Sequence, residues 1–158
     1  MPVDGEWRFK MEDLIRRLEA AGVGSRGLDS EIMALTYSWE QRHIGATCWD
    51  DHESTCCPGA KHIDWVWVDP TTDRWVTNSK TGFEFTASLD AALALAERVL
   101  PDYWWLVRSN EGDTGFFANL GLNGTNPNMG AKCFPVFSAS APLALCIAIL
   151  RAKMEAEK

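Results

Sequence analysis

Five residues with metal-binding or nucleophilic side chains fall within a short stretch of this sequence: Cys48, His52, Cys56, Cys57 and His62. Their spacing is Cys-x3-His, His-x3-Cys and Cys-x4-His. Zinc takes four thiolate or imidazole ligands in a tetrahedron, and Cys and His this close in sequence can supply them. The usual Cys-x2-Cys knuckle is missing, so a loop with incidental thiols stands beside a structural zinc site. Two other chemistries use the same stretch. Asp50, Asp51 and His52 could hold a hydrolytic metal. Cys57 could act as a nucleophile if His52 or His62 drew off its proton.

A second group is aromatic. Trp65, Trp67 and Trp75 lie on a hairpin predicted from Asp64-Trp-Val-Trp-Val-Asp69 and Arg74-Trp-Val-Thr77, joined by a turn at Pro70–Asp73. Trp65 and Trp67 are two apart, so they share one strand face. With Arg74 or Lys61 nearby, that face could stack a base or nucleotide. It could equally be the sheet's contact with its own core. A third candidate is the loop Gly121-Leu-Asn-Gly-Thr-Asn-Pro-Asn-Met-Gly130, where backbone N–H groups around Asn123 and Asn126 could cradle an anion. It lacks the Gly-Lys-Ser/Thr ending of a phosphate-binding loop, and a flexible connection between strands explains it as well. None of these residues is assigned a catalytic role.

The elements that must position these groups follow from periodicity. Leu14, Ile15 and Leu18 recur at helical spacing within Met11–Ala21, and Gly22 and Gly24 end that helix. A second short helix covers Leu28–Tyr37, with Asp29 or Ser30 near its cap. From Trp39 to His62 the pattern vanishes, as in a long loop. After the hairpin, Thr86-Ala-Ser-Leu-Asp90 starts a helix with Leu89, Leu93, Ala96 and Val99 on one face, ended by Pro101. Strands are expected at Tyr103–Val107, Gly115–Leu120 and Ala131–Phe137. Ser140 caps a final helix with Pro142 in its first turn, and the charged Arg151–Lys158 tail is expected to fray. The order of elements gives α+β, a mostly antiparallel sheet with helices over both faces, in one domain spanning 1–158 with a Cys/His-rich insertion at about 39–62.

Composition bounds the partners. The 158 residues are 46% hydrophobic, enough for a substantial core. Fifteen Lys and Arg against 22 Asp and Glu give a formal charge of -7, which disfavours broad nucleic-acid or anionic-membrane binding. The longest apolar run, Ala141–Leu150, is too short to span a bilayer. Met1-Pro-Val-Asp-Gly-Glu6 carries no leader of the charged-then-apolar kind, which points to the cytoplasm. There Cys48, Cys56, Cys57, Cys133 and Cys146 are expected as thiols or metal ligands.

Three segments carry a resemblance. Asp13-Leu-Ile-Arg-Arg-Leu-Glu-Ala-Ala21 with Ser25-Arg-Gly-Leu-Asp-Ser-Glu-Ile32 is the first. The second is Phe85-Thr-Ala-Ser-Leu-Asp-Ala-Ala-Leu-Ala-Leu95 with Tyr103-Trp-Trp105, and the third is Ser138-Ala-Ser-Ala-Pro-Leu-Ala-Leu-Cys-Ile-Ala-Ile-Leu-Arg151. Together they resemble the phage ABA sandwich family. The resemblance implies a helix–sheet–helix sandwich and a phage or prophage origin, with no activity and no catalytic residues to carry over. The Cys48–His62 stretch departs from the pattern. On this footing the expected role is a non-enzymatic accessory protein, active in the cytoplasm of an infected or lysogenic bacterial host. It would counter defence by sequestering a small nucleotide or by covering a host protein. A homo-oligomer is compatible with that role. A small metal-dependent or thiol enzyme acting on nucleotides, and a virion or assembly component, are the alternatives.

Overall fold

The computed structural model describes residues 4–37, 40–46, 63–69, 74–78, 83–110, 115–124 and 132–158. The chain divides into two compact units. One joins Met1–Tyr37 to Phe83–Lys158, and the other is Ser38–Gly82.

In the first unit, α1 spans Asp4–Ala20 and α2 spans Arg26–Tyr37. The expected apolar face of α1 is buried, at Met11, Leu14, Ile15 and Leu18. The helix begins a full turn or more before the expected Met11. Two contacts explain the early start. Lys10 pairs with Glu6 one turn back at 2.6 Å, and the Trp7 indole N–H donates to the Leu35 carbonyl of α2 at 3.3 Å. At α2 the capping residue is Ser25, whose Oγ accepts the Leu28 N–H at 3.3 Å. Asp29, expected at the cap, instead turns inward and is buried.

Helix α3 covers Leu89–Val99, capped by Ser88, whose side chain accepts the Ala91 N–H at 3.3 Å. Its buried residues are Ala92, Leu95 and Ala96, so its inward stripe is rotated from the expected Leu89–Leu93 line. Strands β4 (Tyr103–Ser109), β5 (Phe116–Leu122) and β6 (Val136–Ser138) form an antiparallel sheet in that order. Here the expected boundaries shift. Gly121 and Leu122 belong to β5 rather than to a loop, and the last strand is shorter than Ala131–Phe137, with Cys133 only bridging Gly121.

Helix α4, Ala141–Ala156, is the centre of this unit. Ser140 caps it by accepting the Leu143 N–H, and Pro142 sits in the first turn, as expected. Every residue from Leu143 to Leu150 is fully buried. A helix apolar all round must be surrounded. It packs on β4, β5 and β6 on one side and touches α1 and α3 on others. The expected fraying of 151–158 does not occur. The helix runs on to Ala156, Ala152 is fully buried, and Glu155 is held by Lys132 and Lys158.

The second unit is an antiparallel sheet of β1 (Glu40–Ala46), β2 (Ile63–Asp69) and β3 (Arg74–Asn78), in that order. The expected hairpin is β2–β3. Strand β1 corrects the reading of 39–62 as unbroken loop: Glu40-Gln-Arg-His43 has little apolar pattern, and it becomes a strand by pairing with β2, Gln41 opposite Trp67 and His43 opposite Trp65. The class is α+β, with helices packed against an antiparallel sheet; among the described residues of the first unit, α4 packs on one face of β4–β5–β6, and the expected cover of both faces is not seen because α1 and α3 pack on α4 instead. Among the described residues no helix is long and apolar enough to cross a membrane.

Candidate functional site

The three groups singled out in the sequence are not brought together. Cys48, His52, Cys56, Cys57 and His62 lie outside the described residues, as does Asn126. Among the described residues no group of three or more His, Cys, Asp or Glu side chains is placed to hold a metal ion. Trp65 and Trp67 are on β2 and Arg74 and Trp75 on β3, with Trp75 opposite Val68 and Arg74 opposite Asp69. Only the backbone of those four residues is described. Asn123 is exposed just past β5, where its N–H donates to the Asp102 carbonyl at 2.7 Å. That N–H is therefore committed to the end of the β4–β5 ladder and is not available to an anion.

A groove of about 320 Å³ lies between α1 and α2, floored by Phe9, Ala34 and Leu35 and rimmed by Lys10, Asp13, Arg17 and Glu31. Its rim is occupied with itself. Arg17 Nε donates to Asp13 at 3.0 Å and Arg17 Nη1 to Glu31 at 2.8 Å, and these partners raise the Arg17 pKa. A charged ligand would have to displace them.

The surface that stands out is the face of the β4–β5–β6 sheet turned away from α4. Cross-strand partners share a face. Ala118, Leu120 and Val136 are buried on the α4 side. The residues between them belong to the opposite face: Arg108 opposite Phe117, Leu106 opposite Asn119, Trp104 opposite Gly121, and Phe137 opposite Phe117. The Phe117 and Phe137 rings meet at 5.0 Å between centroids, tilted by 56°. The Arg108 guanidinium lies over the Phe117 ring, 5.0 Å from its centroid. Trp104 lies so close over Gly121 that a β-carbon there would meet ring atom Cζ2 at 2.4 Å. Glycine at this strand position is what lets the indole lie flat.

This face is largely apolar, and it reaches solvent at Leu106, Arg108 and Phe137 while Trp104, Phe117 and Asn119 are half-buried. Phe137 is 65% exposed and Leu106 46% exposed. Trp104 Nε1 and Asn119 Oδ1 are shielded from bulk water and have no partner among the described residues. A shielded polar atom without a partner costs roughly 1–3 kcal/mol. The chemistry offered is dispersion from large side chains and a cation held on an aromatic ring. Sequence reasoning passed over Leu106, Arg108, Phe117 and Phe137. The available signal was the run Tyr103-Trp-Trp-Leu-Val107, apolar at both parities, which requires cover on both faces or leaves one face open. No family model, curated protein or solved structure matches this chain.

Proposed function

We propose that this chain works by binding a protein partner through the outer face of the β4–β5–β6 sheet. The observation that carries the reading is the exposed Phe137, braced on Phe117 with Arg108 across it. Aromatic residues and Arg dominate the energetics of protein interfaces, and an exposed ring held rigid by its neighbours loses little freedom on docking. The face is a sheet surface, whereas small-molecule sites are concave and enclose most of their ligand. That favours covering a protein over sequestering a nucleotide. The resemblance to phage ABA sandwich proteins implies a phage origin, and a host defence protein as partner is our reading of that origin. It makes the chain an accessory protein directed at a host defence protein, in the cytoplasm of an infected or lysogenic bacterial host.

The test is site-specific photo-crosslinking in host extract. A benzoylphenylalanine at Phe137 is compared with one at Val23, which is 78% exposed on a different part of the same unit. One host protein crosslinked from Phe137 and not from Val23, and lost on Arg108→Ala, supports the reading. Equal labelling from both positions, or none from either, refutes it. Saturable binding of a nucleotide, without a protein crosslink, would replace it with sequestration.

A further inference from the structure

The sheet of the first unit ends on one side in β6, three residues long, and on the other in β4, seven residues long. Short edge strands are a common protection against pairing with other chains, as are Lys, Pro and bulges. Strand β4 has no Lys, Pro or bulge, and its one charge, Arg108, is drawn over the Phe117 ring of β5. Its register with β5 runs without a bulge from Tyr103–Leu122 to Ser109–Phe116, and its sequence Tyr-Trp-Trp-Leu-Val-Arg-Ser contains no Lys or Pro. Trp105 is 43% exposed on it and Leu106 46%.

The backbone fixes which groups face outward. At one end of the ladder the Asn123 N–H donates to the Asp102 carbonyl, and at the other the Asn110 N–H donates to the Gly115 carbonyl. In an antiparallel pair, hydrogen-bonding residues alternate along the strand. Positions 102, 104, 106, 108 and 110 therefore turn their N–H and C=O groups toward β5. Trp105, Val107 and Ser109 turn theirs outward, where they have no partner among the described residues. Tyr103 does the same, its N–H donating to Leu100 at 3.1 Å while its carbonyl has no partner among the described residues.

We propose that this edge pairs with the same edge of a second copy, antiparallel, about a two-fold axis through Leu106. The parity of the outward groups permits this register. Trp105 and Val107 of the two copies exchange hydrogen bonds, and Leu106 meets Leu106 as a non-hydrogen-bonded pair on the axis. The side chains then complement one another. Trp104 of each copy comes opposite Arg108 of the other in register, but both side chains are drawn back over β5, onto Gly121 and Phe117, and leave the seam on this face to Leu106. On the α4 side Trp105 stands opposite Val107, an aromatic against a β-branched residue. Both sheets continue into one another, and a two-fold interface of this kind is closed, so pairing stops at the dimer.

The experiment is sedimentation velocity of the full chain over the micromolar range, with no other protein present. A dimer is expected, weakened at least tenfold by Leu106→Lys, which sets two ammonium groups against each other on the axis. Trp105→Pro is expected to do the same by removing an outward N–H, at an edge position where proline is tolerated in the fold. Circular dichroism confirms that each variant is folded. Independently, Leu106→Cys should form a 106–106 disulfide identified by peptide mapping, because Cα atoms of a non-hydrogen-bonded pair lie about 4.5 Å apart. Arg108→Cys should not link to itself. A monomer at every concentration overturns the proposal, and so does a dimer indifferent to both Leu106→Lys and Trp105→Pro. Phe137→Ser, on the far strand, should leave the dimer intact, so this outcome and that of the host-protein crosslink are read separately.

Discussion

The Asp29 carboxylate accepts the backbone N–H of Thr86 at 2.8 Å, across 57 residues of chain. Around this bond the start of α2, the segment before α3 and the middle of α4 are tied together. The Thr86 hydroxyl accepts the Ser25 N–H at 3.0 Å, and the Cys146 thiol of α4 donates to the Phe85 carbonyl at 3.3 Å. Asp29 and Thr86 are both buried.

Desolvation raises the Asp29 pKa above its ordinary value of 3.8, opposed by the hydrogen bonds from Thr86. A carboxyl whose folded pKa is raised binds its proton more tightly in the native state than in the unfolded chain. Its contribution to stability is therefore complete below the unfolded value and is lost as pH rises through the folded one. Asp29→Asn keeps a carbonyl acceptor for the Thr86 N–H and removes the titration. Urea unfolding across a pH series should show the variant gaining on the parent as pH rises from near 3.8. Asp29→Ala, which leaves the Thr86 N–H without a partner, should cost about 1–3 kcal/mol. Parallel profiles for parent and Asp29→Asn would mean that this carboxyl does not titrate differently on folding.

Gly24 makes the same junction possible. A β-carbon there would lie 2.4 Å from the Thr86 carbonyl oxygen and 2.5 Å from its hydroxyl oxygen. Backbone on both sides must move to admit a methyl group. Gly24→Ala should lose roughly 1–3 kcal/mol, the usual cost of overpacking. Gly22→Ala, two residues earlier, meets nothing within 4 Å. It should be neutral or stabilise by about 0.4–1 kcal/mol through the unfolded chain. Equal effects of the two substitutions, in the same denaturation assay, would contradict the close approach at Thr86.

Much of the helical core was legible in the sequence, and the reason is local. Leu14 and Leu18 recur at helical spacing, Ser88 and Ser140 carry capping side chains, and Pro142 fits only a first turn. Each signal sits within a few residues of the structure it specifies. What stayed hidden depends on distant chain. An Asp in a first turn reads as a solvent-facing charge, and only the position of Thr86 makes Asp29 a buried acceptor. Strand β1 owes its extended form to β2. The start of α1 is drawn back by the bond from Trp7 to Leu35 in α2. At the sheet, Trp104, Leu106 and Arg108 alternate with Trp105 and Val107, all but one apolar or aromatic, so composition does not tell the covered face from the open one. Only the placement of α4 decides it.

The two cysteines whose side chains are described should differ sharply in reactivity. Cys146 is fully buried, and desolvation, with the Asp29 charge adding to it, pushes its thiol pKa far above the ordinary range. The thiolate is the reactive species, so Cys146 should resist alkylation in the native protein and react only at the rate of unfolding. Cys133, partly exposed beside Gly121, should label first. Mass spectrometry of iodoacetamide-treated protein, digested after quenching, reads both sites. Labelling of Cys146 at the same rate as Cys133 would show that α4 opens far more readily than its burial implies.

The contact between Trp104 and Gly121 tests the open sheet face without any partner. The indole occupies the space where any other residue at 121 would place a β-carbon, with ring atoms 2.4, 2.6 and 2.9 Å from that point. Gly121→Ala must therefore either push the strand or lift the ring, at a cost of about 1–3 kcal/mol. Lifting the ring also brings Trp104 Nε1, now shielded and unpaired, into water. With 5-fluorotryptophan incorporated at all eight Trp positions, the fluorine spectrum reports each ring. One resonance, assigned to Trp104 by its absence in Trp104→Phe, should move with Gly121→Ala while those remote from the sheet stay in place. An unmoved Trp104 resonance would show that the ring does not rest on Gly121 in solution and would remove this residue from the candidate site.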